Sequence, residues 1–162
     1  ASMRGRFAPS PTGYIHLGNV WSAFLAWLQV RQAGGTLVLR IEDIDEQRSK
    51  VVYTKALMED LSWLGLTWDE GPDVGARRAY IQQERYDHYE KALEELREKG
   101  LLYPCYCSRT RLQAIGAPHA GEHTVYDGHC YGSVSRTPPH DQETVVALHV
   151  PDETVYFTDG VY

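Results

Sequence analysis

The order of apolar and polar residues in the first quarter of the chain predicts a strand, a long helix and a second strand. After His16, apolar residues recur at helical spacing, at Leu17, Val20, Trp21, Phe24, Leu25 and Leu28. This spacing predicts a helix over residues 16–33, which Gly34 and Gly35 end because glycine readily adopts the left-handed cap conformation. Residues 36–41 are almost continuously apolar, which is typical of a strand buried on both faces of a parallel sheet. With a short strand at Arg6, this order predicts a right-handed βαβ unit.

The rest of the pattern predicts two more helices and three extended segments. Helical spacing predicts a second helix over residues 49–64 and a third over residues 77–99, closed by Gly65 and Gly100. We expect extended segments at residues 101–103, 145–150 and 155–159. Trp68 lies in a turn cluster, and we interpret it as a core residue rather than a base-stacking one. Strands that alternate with helices predict an α/β fold, whose ligands lie beyond the carboxyl ends of the parallel strands.

Composition and charge narrow the class of protein. The 162 residues, 43% of them hydrophobic and with mixed charge, indicate one globular domain with room for a small insertion. No apolar run is long enough to span a bilayer. A net charge of −6 is unlike that of a self-sufficient nucleic-acid binder, so RNA contact would need a local patch or parts outside these residues. Three cysteines, two of them in a Cys-x-Cys pair, suit a metal site in a reducing compartment, so we expect a cytoplasmic protein.

The loop between the first strand and the first helix suits an anion. Pro9 and Pro11 fix φ and lack N–H donors, so this loop belongs neither to a helix nor to a central strand. Free N–H groups and the helix dipole attract an anion at the helix start, where His16 and Asn19 could reach one phosphate together. The pattern therefore indicates a nucleotide phosphate site. For an isolated histidine, a capping role at an ordinary loop-to-helix junction would be the simpler interpretation.

The same stretch carries a family resemblance. It closely resembles the HIGH signature of the glutamyl branch of class I aminoacyl-tRNA synthetases, through Ala8-Pro9-Ser10-Pro11-Thr12-Gly13 and His16-Leu17-Gly18-Asn19. The resemblance implies that His16 and Asn19 are catalytic residues that stabilise charge on the ATP phosphates. It also implies an ATP site, which would consist of Thr12, His16, Gly18 and Asn19.

A second part of the resemblance is the acidic string Arg40-Ile41-Glu42-Asp43-Ile44-Asp45. By itself this string could equally be a solvated turn, but in the family its glutamate faces the amino group of the bound amino acid. An amino-acid pocket needs an anion for the ammonium group and a cation for the carboxylate, and Glu42 and Arg6 supply that pair. The planar fork of arginine can bind both carboxylate oxygens. The implied glutamate-binding residues are Arg6, Phe7, Ala8, Pro9, Ser10 and Glu42.

The three cysteines are spaced as metal ligands. Cys105 and Cys107 stand one residue apart, where they cannot easily pair with each other but can hold one ion, and Cys130 follows later. A closed structural zinc site needs four ligands. The available fourth donors are His119, His123, Tyr126 and His129. Chemistry alone favours a histidine as the fourth ligand, because a phenolate is an uncommon ligand. The alternative to a metal site is three free, buried cysteines.

The cysteine region extends the resemblance to one branch of the family. In zinc-bearing glutamyl-tRNA synthetases a histidine follows the last cysteine by two residues, whereas this chain has Gly132 there. The glutamyl-Q-tRNA(Asp) synthetases instead have Cys-x-Cys followed by Tyr-Asp-Gly-His-Cys. This pattern implies a zinc site of Cys105, Cys107, Tyr126 and Cys130. Further similarity to that branch lies at Ser108, Arg109, Thr110, Arg111, Gln113, Ile115 and Gly116.

The resemblance also implies a fold and a domain order. The fold would be α/β, a Rossmann-like parallel sheet with a HIGH-type nucleotide site, of which only the first half is present, and with a small zinc-binding insertion. Residues 1–104 would form the first half of the catalytic domain and residues 105–132 the insertion. Residues 133–162 would begin the connecting strands, with the second half of the catalytic domain missing.

The implied activity is that of a ligase with two steps. Glutamate and ATP, with Mg²⁺, would form glutamyl-adenylate, and the glutamyl group would then pass to the queuosine base of tRNA(Asp). The alternatives are an ordinary glutamyl-tRNA synthetase, a nucleotidyltransferase with a similar helix start, and a zinc-stabilised domain without catalysis. No lysine of the chain lies in a motif like the family's mobile lysine loop. We therefore expect the 162 residues alone to be inactive, with an apolar sheet edge near Val161 and Tyr162.

Overall fold

The computed structural model describes residues 2–75, 77–108, 110–112, 126–132 and 144–159. The chain divides into two compact units, Ala1–Glu90 and Lys91–Tyr162. The domain boundaries expected after residues 104 and 132 remain predictions. Several residues named above lie outside the described ranges, namely Arg109, Gln113, Ile115, Gly116, His119, His123, Val161 and Tyr162.

The first unit is built on a pair of parallel strands. Strand β1 (Arg4–Phe7) pairs with β2 (Thr36–Leu39), and Arg6 lies opposite Val38. On the other side of β2, a single parallel bridge joins Val38 to Glu70. Helix α1 (Leu17–Gln32) connects the two strands. The predicted order of strand, helix and parallel strand is therefore confirmed.

The ends of α1 follow from its flanking residues. His16 is the N-terminal cap and Ala33 the C-terminal cap, so the helix lies within the predicted span. Gly34 then adopts φ 62°, the left-handed conformation expected of the residue after a helix. At Gly35 a Cβ atom would lie 2.2 Å from the Met3 carbonyl oxygen, so only glycine allows the chain to turn this closely into β2.

The core of the first unit lies between the strands and two helices. Helix α2 (Val51–Trp63) occupies most of the predicted second helix and buries Leu57 and Leu61. Trp68 packs against this core and its Nε1 donates to Asp73 Oδ1 at 2.8 Å, which confirms the core interpretation. The buried cluster consists of Ala23, Leu39, Ile41, Leu57, Leu61, Leu66 and Ile81.

The apolar residues of α1 lie on two different faces of the helix. Ala23 is buried and Phe24 packs against the core, whereas Leu17 and Trp21 are 82% and 59% exposed. An apolar groove of about 520 Å³ runs along this outer face. Its lining residues are Leu17, Gly18, Val20, Trp21, Phe24, Leu64 and Leu66.

The prediction of one continuous third helix over residues 77–99 is wrong. The segment begins with two short 3₁₀ helices, Arg77–Tyr80 and Gln82–Arg85, and only then becomes α3 (Tyr86–Glu98). The backbone of Ile41 causes the break: its N–H donates to Tyr80 O at 2.8 Å, and its carbonyl accepts from Gln82 N at 2.9 Å. Ile81, held between these bonds, is extended (φ −121°, ψ 118°) and buried. A long-range bridge here overrides a local helical pattern.

The second unit contains an antiparallel strand pair. Strand β3 (Leu102–Cys105) pairs with β4 (Val145–Leu148), which confirms the extended segments expected near both positions. Tyr131 stacks on His149 with ring centroids 4.0 Å apart, so residues 126–132 contact the end of this strand pair.

The extended segment predicted over residues 155–159 forms no strand in the described part of the second unit. Val155, Tyr156 and Phe157 are 82–88% exposed, so their apolar side chains are not buried against the described residues. No helix among the described residues is both long enough and apolar enough to cross a membrane.

Candidate functional site

The carboxyl ends of β1 and β2 place two predicted glutamate-binding residues together. The parallel ladder continues past the strands, since Arg40 N donates to Phe7 O at 2.9 Å and Glu42 N donates to Pro9 O at 3.0 Å. This pairing brings Glu42 beside the loop that follows β1. Arg6 Nη1 lies 3.6 Å from Glu42 Oε1. The expected cation and anion therefore face each other at the strand ends.

Glu42 contacts a second arginine that the sequence analysis did not include in the pocket. Arg40 Nε lies 3.4 Å from the same Oε1 atom, and Arg40 Nη2 donates to Tyr89 Oη at 2.9 Å. Arg40 stands two residues before Glu42, on the same side of the extended chain, and this alternation was the available signal. Tyr89 comes from α3, and no local pattern connects it to the pocket.

A polar cavity of about 250 Å³ lies between the loop after β1 and the start of α1. It is lined by five of the residues implied for glutamate or ATP binding, and two of these, His16 and Asn19, are also the implied catalytic residues. The lining residues are Pro9, Ser10, Pro11, Thr12, Gly13, Tyr14, Ile15, His16, Asn19 and Leu57. The loop is held in place from outside, because Lys50 N donates to Pro11 O at 3.1 Å at the entry to α2.

His16 and Asn19 form a reciprocal cap at the start of α1. Gly18 N donates to His16 Nδ1 at 3.1 Å, and His16 N donates to Asn19 Oδ1 at 3.1 Å. The capping role considered for an isolated histidine is therefore present. It does not consume either side chain, because the Nε2–H of His16 and the amide N–H groups of Asn19 remain as donors.

Gly18 suits this cap. A Cβ atom at Gly18 would lie 3.0–3.1 Å from the His16 ring, which is tighter than an ordinary contact. Gly18 therefore leaves room for the imidazole to turn back over the helix start.

The other residues implied for glutamate binding are divided between the two faces of β1. Arg6 and Arg4 are exposed on one face, whereas the side chain of Phe7 packs against the core on the other. Ala8, Pro9 and Ser10 continue into the loop, where the carbonyls of Pro9 and Ser10 accept hydrogen bonds from Glu42 N and Thr12 N. The structure brings Arg6, Glu42 and the loop together and leaves the Phe7 side chain outside the pocket.

A second polar cavity, of about 390 Å³, lies on the arginine face of the sheet. Its lining residues are Arg4, Gly5, Arg6, Val38, Arg40, Ala79, Tyr80 and Arg85. Arg4 forms an ion pair with Glu70, which also accepts from Tyr80 Oη at 2.7 Å. These hydrogen bonds, from Arg4 first and then from Tyr80, lower the pKa of the Glu70 carboxyl. The positive charge of Arg4 is thus balanced by Glu70, whereas Arg6 lies near Glu42.

The second unit brings the predicted metal ligands together. The Sγ atoms of Cys105, Cys107 and Cys130 all lie within 4.8 Å of one another. Tyr126 Oη is 3.4 Å from Cys107 Sγ and 3.8 Å from Cys105 Sγ. Cys105 and Cys130 are buried, at 8% and 2% exposure. The three thiols lie close enough to hold one metal ion, and the Tyr126 phenol lies beside them as a further oxygen donor.

The environment of these donors also fits a cation. Burial raises the pKa of the Cys107 thiol, and burial together with hydrogen bonding to Cys107 and Cys130 raises the pKa of the Tyr126 phenol. Burial opposes ionisation of Cys130 as well, but hydrogen bonds from Tyr126 and the Tyr106 backbone outweigh it and lower its pKa. Burial thus disfavours the thiolate and phenolate forms that bind a metal, and a divalent ion would supply the positive charge that stabilises them.

Of the histidines weighed as a fourth ligand, the structure describes His129, which is not part of this group. Among the residues that the structure describes, the cluster contains the three cysteines and no histidine. His129 contributes its backbone N–H, which donates to Asp127 Oδ1 at 3.2 Å. His119 and His123 lie outside the described ranges. The position of Tyr126 agrees with the ligand set that the resemblance implies.

Comparison with known proteins shows which family this chain resembles in sequence. A family model described as class I tRNA synthetases (E and Q), catalytic domain, matches residues 2–162. A protein of Nitratidesulfovibrio vulgaris named glutamyl-Q tRNA(Asp) synthetase is 46% identical over 99% of the chain and 52% of its own length. A protein of the same name from Symbiobacterium thermophilum is 47% identical over 96% of the chain and 50% of its own length. The chain spans about half the length of these curated relatives.

A solved structure agrees with the fold. The crystal structure of a glutamate tRNA ligase from Elizabethkingia meningosepticum, in complex with its amino acid, is 38% identical. The match has a TM-score of 0.61 and covers 71% of this chain and 23% of that one.

Proposed function

Because the chain belongs to the catalytic-domain family of the class I tRNA synthetases (E and Q), we propose that its protein activates glutamate with ATP and transfers the glutamyl group to the queuosine base of tRNA(Asp). The observation that carries the proposal is the match of almost the whole chain to two proteins named glutamyl-Q tRNA(Asp) synthetase. Such a reaction draws on cellular ATP and tRNA, so we place the protein in the cytoplasm.

Arg6 and Glu42 form the amino-acid pocket in this proposal. A bound glutamate would exchange their 3.6 Å contact for two new ones, with its ammonium group against Glu42 and its side-chain carboxylate against Arg6. Arg40 and Tyr89 would keep Glu42 in place during this exchange. The loop residues Ala8, Pro9 and Ser10 and the backbone of Phe7 complete the pocket. Their contribution to the rate is one of proximity and orientation.

ATP would lie in the cavity at the start of α1. The His16 ring accepts from Gly18 through Nδ1, so a neutral ring carries its proton on Nε2 and can donate it to a phosphate oxygen. The amide of Asn19 adds a second donor, and the helix N-terminus adds its dipole. Thr12 and Gly18 belong to the same ATP site. Mg²⁺ would accompany the triphosphate, as it does in other ATP sites.

The chemistry then consists of two transfers. A carboxylate oxygen of glutamate attacks the α-phosphorus of ATP, and the bond to the β-phosphate breaks so that pyrophosphate leaves. His16 and Asn19 stabilise the charge that develops on the phosphate oxygens, an electrostatic role without a covalent intermediate on the protein. In the second step a nucleophilic group of the queuosine base attacks the acyl carbon, and AMP leaves.

Cys105, Cys107, Tyr126 and Cys130 would hold a structural Zn²⁺. Four protein donors leave no open position for a substrate, which is typical of a structural rather than a catalytic site. The metal would fix the two segments that carry these residues, 105–107 and 126–130, against each other.

The second candidate function is that of an ordinary glutamyl-tRNA synthetase. The observation in its favour is the match to the Elizabethkingia glutamate tRNA ligase. The two functions share glutamate and ATP and differ in the position on tRNA that receives the glutamyl group. Gly132, where zinc-bearing relatives of the ordinary type have a histidine, and the location of Tyr126 beside the thiols favour the glutamyl-Q branch.

Glutamate-dependent exchange of pyrophosphate into ATP by the protein that carries this chain tests the first step. We expect exchange with glutamate in the absence of tRNA, and little with aspartate, whose shorter side chain would not span Glu42 and Arg6. Absence of exchange with glutamate when ATP and Mg²⁺ are present would contradict the proposed activation.

A further inference from the structure

Outside the four metal donors, an ion pair connects the two segments of the cysteine cluster. Arg111 Nη2 donates to Asp127 Oδ2 at 2.7 Å, and Arg111 Nη1 lies 3.5 Å from Asp127 Oδ1. Arg111 lies four residues after Cys107, and Asp127 follows Tyr126 directly. The pair thus reaches from the Cys-x-Cys segment to the segment that carries the other two donors.

Local backbone bonds hold both ends of the pair. On the arginine side, Ser108 Oγ accepts from Arg111 N at 3.2 Å and Ser108 O accepts from Leu112 N at 3.1 Å, which starts a helical turn directly after Cys107. On the aspartate side, Asp127 Oδ1 accepts from His129 N at 3.2 Å. Gly128 adopts φ 72° and allows this tight turn.

The turn that Asp127 forms sets the distance between two metal donors. Cys130 N donates to Tyr126 Oη at 2.8 Å, so the phenol lies over the end of the same turn. A change in the position of Asp127 would therefore move Tyr126 and Cys130 relative to Cys105 and Cys107. The side chains of Arg111 and Asp127 are 32% and 40% exposed.

The charge of Arg111 also suits this position. Three thiolates around a divalent ion leave a net charge of −1, and ionisation of Tyr126 would make it −2. The guanidinium of Arg111 interacts electrostatically with Cys107 and Tyr126 as well as with Asp127. It therefore offsets part of the negative charge that the loaded site would carry.

We propose that Arg111 and Asp127 form a positioning pair, outside the ligand set, that orients Tyr126 as the fourth metal ligand and thereby sets the affinity of the site. This inference rests on the proposed zinc site. Groups that orient ligands in this way typically change metal affinity about 10–100-fold when they are removed.

The test measures Zn²⁺ affinity by competition with a chromophoric chelator in Arg111→Ala, Asp127→Asn and the double variant. Asp127→Asn keeps the size of the side chain, so it controls for loss of folding in the alanine variant. Arg97→Ala is the matched control, because Arg97 forms an exposed ion pair with Glu94 in the same unit without contacting the cluster. A second readout is the ultraviolet difference band that appears when a metal ionises a tyrosine.

We expect Arg111→Ala and Asp127→Asn each to weaken Zn²⁺ binding about 10–100-fold. The double variant should bind Zn²⁺ at least as tightly as the more weakly binding of the two single variants. Arg97→Ala should bind it with the affinity of the parent chain. The tyrosinate band per bound Zn²⁺ should shrink in both single variants. Affinities and bands equal to those of Arg97→Ala would overturn the positioning role and leave the zinc site intact. A parent chain that binds no Zn²⁺ would overturn the site itself, and the inference with it.

Discussion

At the scale of single residues, Glu42 lies between two arginines that differ in their other contacts. Arg40 is 22% exposed and also donates to Tyr89, so its position is fixed from two sides. Arg6 is 60% exposed, with Glu42 Oε1 3.6 Å away. A substrate carboxylate can therefore reach Arg6 without disturbing Arg40. This difference supports the proposed binding role of Arg6, and we propose that Arg40 positions Glu42.

Replacing Arg6 by Ala should impair the use of glutamate far more than the use of ATP. The change removes the partner of the substrate carboxylate, and losing a charged hydrogen bond of this kind costs about 1.5–3 kcal/mol, or roughly a 10- to 150-fold rise in KM. Pyrophosphate exchange at varied glutamate and varied ATP measures both constants. Arg48→Ala is the control, since Arg48 is 75% exposed and pairs with Asp45 three residues away. An unchanged KM for glutamate in Arg6→Ala would reject the role.

Tyr126→Phe should weaken Zn²⁺ binding more than His129→Ala. The first change removes the hydroxyl that lies 3.4 Å from Cys107 Sγ, whereas the described contact of His129 near the cluster is through its backbone. Loss of a ligand should exceed the roughly 10–100-fold effect of an outer-shell change. Chelator competition on the two variants ranks them directly. The opposite ranking would return the fourth ligand to histidine.

The residues of the site differed in how readily the sequence revealed them. Arg6 and Glu42 could be paired in advance because parallel strands end at the same edge of a sheet. His16 has the capping role weighed for it, since its Nδ1 accepts from Gly18 N, and its catalytic role stays a prediction. Tyr89 and Asp127 could not be assigned from local pattern, because their partners lie 49 and 16 residues away.

At the scale of elements, Gly5 sets how closely α1 can pack on β1. A Cβ atom at this position would lie 2.3 Å from Val30 Cγ2, and Val30 is buried. Gly5→Ala should therefore lower the free energy of unfolding by about 1–3 kcal/mol, the usual cost of overpacking. Gly13→Ala is a control with no atom within 4 Å of the new methyl group. Urea unfolding of both variants measures the difference, and equal stability would mean that α1 can shift without cost.

Asp69 joins α1 to β2 and should make the stability of the first unit depend on acid pH. Its carboxylate accepts from Arg31 Nη1 and from Leu37 N, both at 2.7 Å. These bonds, that from Arg31 first, lower its pKa below the ordinary value of 3.8. A lowered carboxyl pKa stabilises the fold above that ordinary value, and the contribution is lost as the pH falls through the folded pKa.

Asp69→Asn should therefore destabilise the chain at pH 7, and its difference in stability from the parent chain should be smaller at pH 3. The substitution weakens the acceptor of the Leu37 N–H and removes the negative charge that pairs with Arg31. It should lower the free energy of unfolding by about 1–3 kcal/mol at neutral pH. Urea unfolding at the two pH values tests this. A difference that is constant with pH would show that the carboxylate charge does not contribute.

The elements that were predicted well are those whose ends carry local signals. The span of α1 follows from the His16 cap and Gly34, and the strand after it, β2, is a short and largely apolar run. The third helix was predicted wrongly because the backbone of Ile41 bonds to both neighbours of Ile81, an interaction between distant parts of the chain. Residues 155–159 have the composition of a strand, but a strand also needs a partner.

At the scale of the whole molecule, the described residues contain one side of the proposed amino-acid and nucleotide site in the first unit and the proposed metal cluster in the second. The net charge of −6 gives no general attraction for RNA. On this account, the protein recognises tRNA through specific contacts. The proposed function also specifies the position on tRNA that receives the glutamyl group. That position is what separates the proposed function from an ordinary glutamyl-tRNA synthetase.

The most direct test of the central claim is to locate the glutamyl group on tRNA(Asp) after reaction with the protein that carries this chain. The substrates are queuosine-containing tRNA(Asp) from which the 3′-terminal adenosine has been removed, and a matched tRNA(Asp) with guanosine in place of queuosine. The account predicts radiolabelled glutamate on the queuosine-containing tRNA despite the missing 3′ end, and none on the guanosine tRNA. Glutamate that appears only on tRNA with an intact 3′ end, regardless of queuosine, would contradict it.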